Sequence, residues 1–168
     1  MLRYSLSIII GLFSLSAVTL SAPKASMHNA MVGKLEISNF WVRATPPSSK
    51  TASAFMKVTN HGLKADKLMT ATTSSAKKTE LHSHINDDGV MRMRKVKFIN
   101  IPMHGQAILQ PGSYHIMMMG LKGPLNEGSI AIIRLHFARS GNIAVPFPVK
   151  RDFTAKDHPK KKHHNHTQ

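Results

Sequence analysis

A chain of 168 residues has room for one domain with a proper core and is too short for two. It holds no cysteine, which excludes disulfide bridges, thiolate zinc sites, a thiol nucleophile and lipid attachment at a cysteine. The net charge of +15 favours acidic partners such as an anionic membrane surface, and the lack of an aromatic-rich basic stripe argues against nucleic acid.

Residues 1–21 have the layout of a secretory signal. Arg3 gives a positive start, Leu6 to Leu20 is apolar apart from Ser, Gly and Thr, and the small residues Ser21 and Ala22 precede Pro23. The strongly apolar part is shorter than the roughly 20 residues of a spanning helix, so cleavage and export to the periplasm are expected. Residues 22–33 read as a flexible polar segment containing Met27, His28 and Met31.

From Lys34 the pattern changes to short alternating segments. Strands are expected at 35–44, 51–60, 67–72, 78–84, 91–98, 106–109, 129–137 and 143–149, with Gly, Pro, Asn or Asp between them. Seven or eight such strands and no long helical period predict an all-β antiparallel sandwich or barrel over residues 34–150. A short turn of helix is allowed around 120–125. Residues 151–168, "RDFTAKDHPKKKHHNHTQ", are polar, basic and histidine-rich, and are expected to form a flexible tail.

Side chains two apart on a strand share a face. In "HIMMM" this sets His115 beside Met117, with Met119 further along and Met118 turned the other way. In "MRMRKVKF" it pairs Met91 with Met93, while Val96 and Phe98 fall on the arginine parity. Either a bulge lies near Lys95 or the methionine face is not the core face. In "ELHSHINDDG", His82 and His84 share a face just before a turn. Singly, each of these residues reads as packing or surface. Together they form a set of imidazoles and thioethers, which suits Cu(I) better than zinc or a hard ion.

The intervals from His82 to Met93, His115 and Met117 resemble the H-x10-M-x21-H-x-M signature of the PCuAC family of periplasmic copper chaperones. "FWVRATPPSSKTASAFMKVTN", "GVMRMRKV" and "LQPGSYHIMMMGLKGPLNEG" are similar to that family's first strand pair, methionine strand and His-x-Met loop. The resemblance runs from about Leu35 to Val149. It implies a cupredoxin-like Greek-key β-sandwich holding one Cu(I) through His82, Met93, His115 and Met117. It also implies a monomeric carrier delivering copper towards the CuA centre of a respiratory oxidase, with copper-donating or copper-accepting exported proteins as partners. His84 is an additional imidazole beside the first ligand, and Ser113 stands where a second Gly is common.

Other residues have lesser claims. Met91 and Met119 lie on the ligand parity as neighbouring sulfur or as an apolar guard. His158, His163, His164 and His166 in the tail are either solvated surface or a looser Cu(II) site, since neutral imidazole binds copper in either oxidation state. Trp41 reads as core. Glu80, Asp87 and Asp88 do not make a carboxylate pair for catalysis, so no enzyme activity is expected. Two alternatives stay open: copper sequestration using the same site and the tail, and an exported module that binds acidic polymer through its basic surface.

Overall fold

The computed structural model describes residues 29–87 and 90–151. Eleven strands account for the regular structure among them: β1 Asn29–Val32, β2 Leu35–Arg43, β3 Thr51–Asn60, β4 Asp66–Thr73, β5 Ala76–Asp87, β6 Val90–Lys95, β7 Ile99–Ile101, β8 Gln106–Leu109, β9 His115–Leu121, β10 Ile130–Phe137 and β11 Gly141–Lys150. The pairing path runs β6-β5-β9-β3-β2-β11-β10-β4-β7, with β1 beside β2 and β8 beside β3. β11 links the two layers: it is antiparallel to β10 from Gly141 to Pro148, then its last two residues lie parallel to Val42 and Arg43 of β2. A parallel pair between strands so far apart in the chain requires the crossover of a Greek-key sandwich.

Alternation explains which face each strand buries. On β10, Ala131, Ile133, Leu135 and Phe137 turn inward and Ile130, Ile132, Arg134 and His136 outward. On β9, Ile116 and Met118 are completely buried, which leaves His115, Met117 and Met119 on the other face. β2 changes parity midway. Leu35 and Ile37 are core, Asn39 takes a positive φ of 51° where the pairing with β3 shifts, and Phe40 and Val42 are core beyond it. This bulge turns Trp41 away from the core, against the expectation for a lone strand Trp, and its ring lies 4.7 Å from that of Phe55. Across the core, Phe40 and Phe147 join the two layers at 5.3 Å.

Three expectations need adjustment. The strand expected over 91–98 ends early: β6 stops at Lys95, Val96 N–H donates to the Leu81 carbonyl, and beyond residue 98 the chain enters the second layer as β7 beside β4. The parity mismatch at Val96 marks this break. No helix forms at 120–125, because Gly120 and Leu121 complete β9 and the Leu125 N–H is tied to Thr45 Oγ1. Gly120, at φ +64°, turns Leu121 to the core side. Finally, Asn29–Val32 pairs with β2, so regular structure reaches back into the segment read as flexible.

Candidate metal centre

Strand register assembles the site. The β5–β6 hairpin sets His84 opposite Met93 and His82 opposite Lys95. β5 against β9 sets His82 opposite His115, Glu80 opposite Met117 and Lys78 opposite Met119. β3 continues the same face with Ser53 opposite Met117, and Phe55 lies against His115 at 6.4 Å between ring centroids. Cross-strand partners point to one side of a sheet. The histidines and methionines therefore share the outer face of this layer, while Leu81, Ile116 and Met118 seal the core behind them.

The three imidazoles are held differently. His115 is 2% exposed, and its Nδ1–H donates to the Ser113 carbonyl at 3.1 Å. A carbonyl accepts only, which fixes this tautomer and leaves Nε2 as a lone pair; Nε2 is buried and has no hydrogen-bond partner. His84 Nδ1–H donates to the same carbonyl at 3.3 Å, and its ring centroid lies 5.2 Å from that of His115. His82 turns the other way: its Nε2–H donates to Glu80 Oε2 at 3.0 Å, its Nδ1 is buried without a partner, and its centroid is 5.8 Å from His115. Glu80 also meets Lys78 Nζ at 2.8 Å and Lys95 Nζ at 2.9 Å.

These surroundings set the protonation states. Hydrogen bonds from His82, Lys78 and Lys95 hold the Glu80 carboxyl at a pKa of about 2. Burial pushes the His115 imidazole below its ordinary value, and the nearby His84, His82 and Arg43 add to this against the opposing Ser113 carbonyl. His115 is consequently neutral at pH 7, the form in which imidazole ligates metal.

A cleft of about 220 Å³ opens over this face, lined by Arg43, Ser53, Phe55, His84, Met93, Pro111, Gly112 and His115. Met93 is 45% exposed at its rim. Of the residues singled out in the sequence, His84, Met93 and His115 meet in the cleft. His82 and Met117 lie on the same face outside its lining, and Met119 lies further along, half-buried. Met93 and Met117 sit two strands and four residues apart. Among the described residues no three His, Asp, Glu or Cys side chains converge on one point. The Met91 side chain, Met27, His28 and the tail histidines His158, His163, His164 and His166 lie outside the described residues, as do residues 1–21.

Two participants were missed from sequence: the Ser113 carbonyl, which orients two imidazoles, and Glu80, which orients the third. Glu80 stands two residues before His82 on β5, so the period of a strand sets the two side chains on one face, whereas Ser113 lies ahead of β9 and acts through its backbone, which no side-chain pattern marks.

The LpqE-like family, described as "Putative lipoprotein LpqE-like", matches residues 35–149. A relative named "Putative lipoprotein Lxx21020", from Leifsonia xyli subsp. xyli (strain CTCB07), is 35% identical over 121 residues, 71% of either chain. Among solved structures, the copper-bound PCuAC domain from PmoF2 matches with a TM-score of 0.65 at 21% identity, over 75% of this chain and 100% of that one. CuI-DR1885 from Deinococcus radiodurans matches with a TM-score of 0.59 at 31% identity, over 79% of this chain and 87% of that one. Apo-DR1885 matches with a TM-score of 0.58 at 28% identity, over 87% and 98%. The fold is thus the cupredoxin-like β-sandwich of PCuAC domains, and from the family match and the Leifsonia relative together the chain belongs to the LpqE-like family.

Proposed function

We propose that the protein is an exported copper chaperone that carries Cu(I) on the outer face of β5, β6 and β9 and passes it to a partner. The observation that carries this reading is the unpartnered, buried Nε2 of His115 on a face of imidazoles and thioethers beside an open cleft. Buried polar atoms without a partner are costly, and one aimed into a set of soft neutral donors is explained by a metal. The 31% identical Deinococcus protein, solved with Cu(I), supports copper as the cargo.

On this reading His82, Met93, His115 and Met117 are the ligands. Neutral donors hold the monovalent ion without the charge attraction of thiolates, so an acceptor's cysteine or methionine displaces them one at a time. The acceptor is an exported protein, with the CuA centre of a respiratory oxidase as the destination. The secretory signal layout at 1–21 supports a periplasmic location. The tail histidines supply a second, looser site for Cu(II).

The test is a Cu(I) competition titration with X-ray absorption on the full chain and on M93A, H115A and M117A. One tight equivalent with mixed nitrogen and sulfur scattering is expected, losing sulfur in the methionine variants. Binding unchanged in all three variants overturns the reading. Removal of residues 152–168 should abolish uptake of additional Cu(II) and leave the Cu(I) equivalent intact.

A further inference from the structure

Resting on the copper reading above, we infer that His84, which the motif spacing leaves unassigned, is itself a metal ligand: with His115 and Met93 it forms the donor set that first meets Cu(I) in the cleft, ahead of the His82 and Met117 side of the face. Three independent observations converge on it. The hairpin register places His84 directly opposite Met93, the closest relation two side chains on neighbouring strands can have. His82 instead faces Lys95 across that hairpin. The cleft is lined by His84, Met93 and His115, and neither His82 nor Met117 reaches its wall.

The third observation is chemical. The Ser113 carbonyl accepts from His84 Nδ1–H at 3.3 Å and from His115 Nδ1–H at 3.1 Å. An sp² oxygen has two lone pairs, so one backbone group holds both imidazoles in the same tautomer, each with its Nε2 lone pair free to ligate. Fixing the tautomer through the nitrogen that does not bind metal is the usual way a protein orients a histidine ligand. His82 is oriented by a different group, its Nε2–H donating to Glu80, which Lys78 and Lys95 hold in place. Its lone pair therefore sits on Nδ1, on a side chain outside the cleft lining.

Two imidazoles and one thioether make a neutral, soft-leaning set of three, which suits Cu(I) and leaves room for a donor from the partner. Capture and release need only metal–ligand bonds to form and break, with no change of oxidation state. Ser113 is then a positioning residue through its backbone, and His115 is shared between the cleft set and the His82 and Met117 side of the face.

Nitrogen-15 NMR of the metal-free full chain reads the tautomers directly: His84 and His115 should both be protonated at Nδ1, and His82 at Nε2. Addition of one equivalent of Cu(I) should move the Nε2 resonance of His84 together with that of His115. In a Cu(I) competition titration His84→Asn should weaken binding of the first equivalent by more than about tenfold. An unmoved His84 Nε2, or His84→Asn binding within about twofold of the parent while His82→Asn loses affinity, overturns the assignment and leaves the copper reading standing. Failure of the parent chain to take up Cu(I) overturns both. The resonance shift is measured on the unsubstituted protein, so misfolding of a variant does not blur the result.

Discussion

Two clusters of buried polar atoms lie along β3, and they are built on opposite plans. At its C-terminal end, near a cleft of about 490 Å³ lined by Lys34, Asn60, Asp66, Arg139 and Ser140, the buried side-chain atoms of Asn60 and Asp66 are all engaged. Asp66 is 3% exposed and accepts from Lys67 N–H at 2.7 Å, Arg139 N–H at 3.0 Å, Ser140 N–H at 3.0 Å and Ser140 Oγ–H at 2.7 Å. The Asn60 side chain donates to the Lys64 carbonyl and accepts from Gly62 N–H. Midway along the same strand, where Phe55 touches His115, the imidazoles keep one nitrogen paired and one without a partner. The satisfied cluster joins the start of β4 to the β10–β11 turn and acts on stability. On the copper reading proposed above, the unsatisfied one gives up stability and keeps donors for a ligand. On that reading the larger cleft is structural and the smaller one chemical, because volume says less about function than whether the lining atoms are already spoken for.

The sharpest way to break this contrast is to damage the satisfied cluster. Asp66→Ala strands three backbone N–H groups and a hydroxyl, and should cost about 3 kcal/mol of unfolding free energy, since removing an acceptor leaves buried donors unpaired. Urea denaturation measures it, and Cu(I) affinity of the folded variant should be unchanged. Acid should act on the same residue. Burial alone would raise the Asp66 carboxyl, but the donors from Ser140, Lys67 and Arg139 outweigh it and hold the pKa below the ordinary 3.8. Its contribution is full above 3.8 and is lost as pH falls through the lower folded value.

The opposite substitution should have the opposite signature. His115→Leu removes a buried nitrogen that has no partner, so the metal-free protein should keep its stability or gain up to about 1 kcal/mol. Cu(I) retention against a chelator should fall by at least about tenfold, as expected when a group that holds or orients a metal is lost. A stability loss as large as that of Asp66→Ala would show that the His115 ring is core filler and that the two clusters follow one plan.

The alternation of β9 and β10 was legible in the residues, and so was the separation of Met117 from the buried Met118. The break after Lys95 was legible as a parity conflict. Other features depend on tertiary structure and left no local mark. The bulge at Asn39 decides that Trp41 joins Phe55 on the outer face, and a non-glycine residue at positive φ is not announced by its neighbours. The pairing of His84 with Met93 depends on where the β5–β6 turn falls, and a shift of one residue would reassign every partner. Asp66 falls between the strands expected at 51–60 and 67–72, and nothing local marks its role because its donors at 139 and 140 are more than seventy positions away.

The smallest expected effect is one of pH, and it distinguishes the two clusters without a mutation. Burial holds His115 below its ordinary value of 6.5, so between the folded value and 6.5 the unfolded chain binds the proton that the folded chain refuses. The His115 contribution to stability is therefore full above 6.5 and is lost as pH falls through the folded value. Urea midpoints of the metal-free protein should decline from pH 7.5 to pH 5, a range in which Asp66 stays ionised and contributes no slope. With Cu(I) held by neutral imidazoles of the folded chain, as proposed, one equivalent should raise the midpoint and move the decline to lower pH. In His115→Leu the part of the slope due to this residue should vanish, and with it the shift on adding Cu(I). A slope that persists unchanged in the variant would place the titrating group elsewhere and remove the link between the unpartnered nitrogen and the acid response.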